Sequence, residues 1–256
     1  MAGTTGSANT IKASATTLEI LEGLRELNGA GVTELANHLD MSKSNVHNYL
    51  NTLRREEYVV KDGSKYDVGL RFLGLSRYAR KKQEIYNVAC PELDGLAEET
   101  GELVNLLIEE HGRGVYLYQA EGPKSVEVDS SIGYRVYLHN TALGKTILAE
   151  LDRDRVDGIL DRHGLPSTTE RTITDREELH EELERVRERG VAFDREERLQ
   201  GLNCVACSIA DNQGTVAGAI SVSGPASRMS GDRLESDLPE KLQSVSNIVS
   251  LNLTYS

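Results

Sequence analysis

Between Lys43 and Arg55 the chain sets Ser44, Asn48, Asn51 and Arg55 at helical spacing, so that at about 100° per residue they share one side. Asn45 and His47 flank them. Hydroxyl, amide, imidazole and guanidinium groups can reach base edges and phosphates in a major groove. The opposite side, Val46, Tyr49, Leu50 and Leu53, follows the i, i+3, i+4, i+7 pattern of a buried stripe. A merely solvated helix more often carries Glu and Lys outward, and this side has neither. The chemistry indicated is duplex DNA recognition, with Ser42, Lys43, Ser44, Asn45, His47, Asn48, Asn51, Arg54 and Arg55 as candidate contacts. A second group lies far along the chain. Ser221 and Ser223 are two apart in an apolar strand, so both hydroxyls point to one face. They need polar partners: a ligand, water, nearby backbone or each other. Cys204 and Cys207 are three apart, which in a strand sends the thiols to opposite faces, and no second pair completes a zinc set. His139, Asp194 and Cys204 make a hydrolase triad on paper, but no nucleophile elbow accompanies them. No enzymatic chemistry, metal or cofactor is expected.

The elements that must position the first group are short. Residues 14–27 read as a helix with Leu18, Leu21, Leu24 and Leu27 on one side, ended by Asn28-Gly29. Residues 32–39 read as a second, with Leu35, Ala36 and Leu39 inward. Asp40-Met41-Ser42 makes the turn, and Ser42 can cap a third helix running to about Glu57. Two β-rich tetrads around Asp62-Gly63-Ser64 form a hairpin that offers Lys61 and Lys65 to phosphates. Three helices and a hairpin predict a winged helix-turn-helix over 13–69, behind a disordered tail at 1–12. The plainer reading is a three-helix bundle with a surface hairpin. Residues 70–83 predict a linker helix whose unpaired apolar residues suggest a partner chain.

Residues 84–256 alternate helices and strands: a helix at 85–99, strands at 103–109, 115–120 and 126–129, and helices at 142–150 and 153–161. A capping box at 174–177 starts a helix that ends at Gly190. Strands at 191–194, 204–210 and 216–223 follow, then a closing helix at 232–251 with Leu234, Leu238, Leu242, Val245 and Val249 on one stripe. The predicted class is α+β: a winged helix-turn-helix, a linker helix, and an α/β domain with a mainly antiparallel sheet.

Length and charge agree with two domains. The chain has 256 residues, enough for two cores, and a formal net charge of −12. Residues 1–83 hold 12 Lys and Arg against 9 Asp and Glu, whereas the remainder holds 17 against 32. The basic excess therefore sits with the candidate DNA-reading helix. The acidic remainder, with Asp152, Asp154, Asp157 and Asp161 crowding helix faces, reads as the surface of a salt-adapted protein or as an ordinary acidic surface. No apolar run approaches a membrane span, no signal pattern opens the chain, and three cysteines suggest no disulfide framework. A cytoplasmic location is expected.

Three segments then carry a resemblance: LHNTALGK at 138–145, GVAFDREERLQGLNCVA at 190–206 and SVSGP at 221–225. In this order, behind a winged helix, they resemble the IclR family of transcriptional regulators. The resemblance implies a GAF-like effector domain that binds a small metabolite, often an organic or aromatic acid, and dimers that commonly pair into tetramers. By motif position it implies effector contacts at Ala142, Leu143, Asp194, Leu202, Cys204, Ser221 and Ser223. Main-chain N–H groups near Ala142 and Leu143 would hold an oxyanion, as helix N-termini do. The function expected is a sequence-specific regulator whose operator binding a small metabolite controls. An architectural DNA-binding protein without a ligand is the alternative, and the pocket motifs argue against it. With no Trp and only Phe72 and Phe193, an aromatic cage would have to use Tyr.

Overall fold

The computed structural model describes residues 10–128 and 130–255. The chain divides into two units, with the boundary between Ala79 and Arg80. The expected tail lies outside the described residues as far as residue 9, and Lys12 already opens α1.

The first unit places α1 (Lys12–Glu26), β1 (Ala30–Gly31), α2 (Val32–His38), α3 (Lys43–Arg55), β2 (Val59–Asp62) and β3 (Lys65–Val68) around one core. Ile20, Leu24, Leu35, Val46, Leu50 and Tyr66 are buried in it. Leu18 is exposed rather than inward; Ile20 takes the inner position, because the stripe of α1 runs through 16, 20, 23 and 24. Asn28 and Gly29, both at positive φ, end α1. A short strand not expected from sequence, β1, pairs with β3, so the sheet order is β1-β3-β2 and the hairpin is anchored to the helices. Two residues are too few to show a period. The next helix, α4 (Phe72–Lys81), buries none of its residues, and Leu70, Leu73 and Leu75 are exposed.

The second unit is a six-stranded sheet between two helical layers. Its elements are α5 (Glu84–Thr100), β4 (Leu103–Glu110), β5 (Arg113–Glu121), β6 (Arg135–Val136), α6 (Ala142–Ala149), α7 (Arg153–His163), α8 (Arg176–Arg189), β7 (Ala192–Arg195), β8 (Leu202–Ala210), β9 (Val216–Pro225), a π-helical turn at Arg233–Asp237 and α9 (Leu238–Thr254). The strand order is β6-β5-β4-β9-β8-β7, and every pairing is antiparallel. Alternate residues face opposite layers. Leu106, Val205, Cys207 and Ile220 pack with Leu93 of α5 and Leu242 of α9. Leu107, Cys204, Ala206 and Ala219 pack with Ile147 of α6 and Leu183 of α8.

Two local expectations are corrected. Residues 126–128 form no strand; β6, two residues long, takes the edge beside β5, and Asp129 lies outside the described residues. The cap of α8 is Asp175, whose carboxylate accepts the Glu178 N–H at 3.0 Å, one residue after the predicted Thr174. A carboxylate at that position is as good an acceptor as a hydroxyl and adds a favourable charge at the helix N-terminus.

Candidate functional site

The site of the second unit begins at the start of α6. Thr141 caps the helix by accepting the Gly144 N–H at 2.9 Å. That leaves the amides of Ala142 and Leu143 as first-turn donors. Gly144 is required there: a Cβ would lie 2.2 Å from the carbonyl oxygen of Leu138. The helix thus packs its backbone against the preceding loop. All eight residues of α6 are buried, Lys145 included.

Lys145 is 1% exposed, and its ammonium donates to both carboxylate oxygens of Glu197, at 2.6 and 2.8 Å. A buried charge is tolerated only when paired in this way. Glu197 sits in the loop after β7. Its main-chain carbonyl accepts from Thr168 at 3.0 Å and Thr172 at 2.6 Å, so the loop is held from both sides. Three residues earlier, Asp194 is 2% exposed and accepts the N–H groups of Glu197 at 2.7 Å and Arg198 at 3.3 Å. Burial, followed by the Glu197 charge, pushes its carboxyl up to about 7, with Lys145 opposing. Burial, followed by the Asp194 charge, pushes the Cys204 thiol upward as well.

These groups meet in one cavity. Ala142, Leu143, Asp194, Leu202, Cys204, Ser221 and Ser223 all line it, so the structure brings together every effector-contact candidate of the sequence. The cavity is narrow, about 20 Å³, room for roughly one water. Tyr116 is the aromatic residue in its wall. The two serines do not simply satisfy each other. Asn105, opposite Ser221 on β4, donates to Ser221 at 3.4 Å and Ser223 at 3.3 Å, and its carbonyl accepts from Gln119 at 2.9 Å. Sequence reasoning missed Asn105. Its signal was present: one amide in the apolar run Leu103–Ile108. Arg198 and Thr141 also line the cavity and were not singled out.

His139 does not join this cavity. Its Nε2 lies 3.2 Å from the Pro166 carbonyl, and burial holds the ring neutral, with its pKa down at about 4. It therefore anchors the loop before α6, and no triad forms with Asp194 and Cys204. Cys204 and Cys207 belong to opposite sides of the sheet.

In the first unit, Ser42 caps α3 by accepting the Asn45 N–H at 3.3 Å. Ser42, Lys43, Ser44, Asn45, His47, Asn48, Arg54, Arg55, Lys61 and Lys65 are all exposed, and Asn51 is half-buried. Asn51 lies 3.1 Å from Nδ1 of His47, one turn earlier, so each steadies the other. Lys61 lies over the Tyr66 ring at 5.2 Å. The bare side of α3 is thus open to solvent and formed of short, pre-positioned polar groups.

Residues 78–251 match the family described as "Bacterial transcriptional regulator IclR C-terminal", and residues 16–63 match the "IclR helix-turn-helix domain". The chain belongs to the IclR family of transcriptional regulators. It is 30% identical over 256 residues to the probable HTH-type transcriptional regulator ArcR of Halobacterium salinarum, covering 98% of this chain and 97% of that one. It is 35% identical over 218 residues to the HTH-type transcriptional regulator KdgR of Escherichia coli, covering 84% and 83%. Among solved structures, the IclR of Thermotoga maritima superposes with a TM-score of 0.79 at 29% identity, over 96% of this chain and 100% of that one. An IclR homolog of Microbacterium hydrocarbonoxydans complexed with 4-hydroxybenzoate shares the fold, with a TM-score of 0.82 at 18% identity, over 95% and 99%. The IclR-family chain is a regulator rather than an enzyme. Among its described residues no helix is long and apolar enough to cross a membrane.

Proposed function

We propose that this IclR-family regulator reads its operator with the outer side of α3 and responds to a small organic acid held in the cavity between α6 and the sheet. The observation that carries the reading is convergence. Seven residues scattered from Ala142 to Ser223 line one cavity whose floor offers two helix N-terminal amides. A carboxylate fits those amides; Asp194, Asn105 and the serines suit hydroxyl or carbonyl groups further along the ligand. Because the cavity is narrow, the ligand-bound arrangement is a wider one, which is how a ligand favours one population over another.

Ser44, Asn48, Asn51 and Arg55 face the groove in this reading, with Ser42, Lys43, Asn45, His47 and Arg54 beside them and Lys61 and Lys65 on the wing. A homodimer, or a pair of dimers, places two such helices on a pseudo-palindromic operator. The exposed leucines of α4 supply its contact, and α4 relays effector occupancy to the reading heads. The acidic surface favours a salt-rich cytoplasm, where counterion release contributes little and base contacts carry the specificity.

The test is footprinting at a selected operator. Asn48→Ala with Asn51→Ala removes two adenine-type readers, each worth about 1–3 kcal/mol of discrimination. The double variant keeps its fold and loses preference for the operator over bulk DNA. An unchanged footprint rules out this placement of α3.

A further inference from the structure

A second cleft lies beside the inner cavity, about 240 Å³ in volume, lined by Arg113, Arg135, Arg198, Tyr134, Tyr137 and Asn140. We propose that this cleft is a second ligand site, built for a small dianion that also carries a hydroxyl group. Its guanidinium groups gather in the part of the chain that holds 32 acidic residues against 17 basic ones. Arginines elsewhere in that part face carboxylates, as Arg153, Arg176 and Arg228 do. Arg113 and Arg135 do not: among the described residues no carboxylate comes within ion-pair distance of either. Carbonyl groups orient them instead. Arg113 donates to the carbonyls of Val136 at 2.9 Å and Arg135 at 3.3 Å, and its guanidinium lies over the Tyr137 ring at 3.7 Å. Arg135 donates to the Glu110 carbonyl at 3.0 Å. Carbonyl groups and a ring fix a guanidinium without cancelling its charge, and an oriented guanidinium binds a carboxylate through paired hydrogen bonds. Two such groups match two carboxylates.

Asn140 supplies the independent observation. It is buried, its amide N–H donates to Thr168 at 3.2 Å, and its carbonyl oxygen has no donor. A buried acceptor without a donor is unfavourable. A ligand hydroxyl donates where succinate-like methylenes cannot. Tyr134 and Tyr137 give the cleft walls for the ligand's carbon chain. The chemistry differs from that of the inner cavity, which offers main-chain amides, a carboxyl and serines.

Calorimetry on the full chain at low salt tests this with L-malate, succinate and L-lactate as probes. Malate binds, succinate binds at least fivefold more weakly for lack of the hydroxyl, and lactate at least tenfold more weakly for lack of the second carboxylate. Arg135→Gln, at an exposed position, weakens malate at least tenfold, and Arg135→Lys recovers part of that. Asp194→Asn, in the inner cavity, changes malate affinity less than twofold. Absence of malate binding overturns the proposal, and so does unchanged affinity in Arg135→Gln. Loss of binding in Asp194→Asn with retention in Arg135→Gln assigns malate to the inner cavity and overturns it equally, while leaving the operator reading intact.

Discussion

At the scale of single residues, Asp194 sets a pH dependence. Its carboxyl rises from 3.8 to about 7 in the folded chain. A raised acid is stabilising while protonated. Its contribution is full below about pH 4 and is lost as pH climbs to 7, because the unfolded chain has already released its proton and the folded one has not. Asp194→Asn mimics the protonated form and keeps the oxygen that accepts from Glu197 and Arg198. Relative to the parent, the variant gains stability progressively between pH 4 and 7.5 in denaturant titrations, on the order of a few kcal/mol in total. A difference that stays flat across this range removes the assignment. His139 runs the other way: its lowered pKa costs stability as pH falls from 6.5 through 4. That trend is common to both proteins and cancels in the comparison.

At the scale of elements, two glycines of helices make opposite predictions. Gly144 of α6 meets the Leu138 backbone, so Gly144→Ala forces the helix away from its loop and costs on the order of 3 kcal/mol or more. Gly158 of α7 has nothing within 4 Å of its missing Cβ, so Gly158→Ala stabilises by about 0.5–1 kcal/mol through helix propensity. Melting curves of the two variants should move in opposite directions, and a fall for both would show that α7 is packed otherwise. The sequence revealed α3 and its wing because amphipathic spacing, a serine cap and a turn all coincide within 30 residues or so. It could not reveal β1, which has no period, or the edge strand β6, two residues long and paired within the sheet to β5. The same limit hid the partner of Ser221. Periodicity says that a strand face is polar; only sheet order tells that Asn105, 116 residues away, completes it. Lys145 stood inside a quoted motif, yet its role needs Glu197, which sequence places 52 residues on.

At the scale of the whole molecule, charge and apolar surface are distributed unequally. The first 83 residues carry a small positive excess and the rest a large negative one. Bulk acidity therefore opposes DNA except where the reading unit is presented. The segment from Leu70 into α4 is the other asymmetry: Leu70, in the turn before the helix, is 80% exposed and Leu73, in its first turn, 65%. In the proposed homodimer these leucines form the contact between subunits. On that proposal, Leu70→Glu with Leu73→Glu shifts sedimentation toward the single chain and weakens operator binding at least tenfold, while an isolated melting transition of the effector domain stays in place. A variant that still sediments as the parent would show that other surfaces hold the subunits together.

The sulfur chemistry carries a practical corollary. Burial lifts the thiols of Cys90 to about 11 and Cys207 to about 12, and Cys204 is lifted too. Thiolate is the species that reacts with maleimides, so the raised thiols, the half-buried Cys90 included, react slowly at neutral pH. A Thr52→Cys substitution on the exposed flank of α3 introduces one fast-reacting handle without removing any native cysteine. A fluorophore attached there can report operator engagement in the otherwise wild-type regulator.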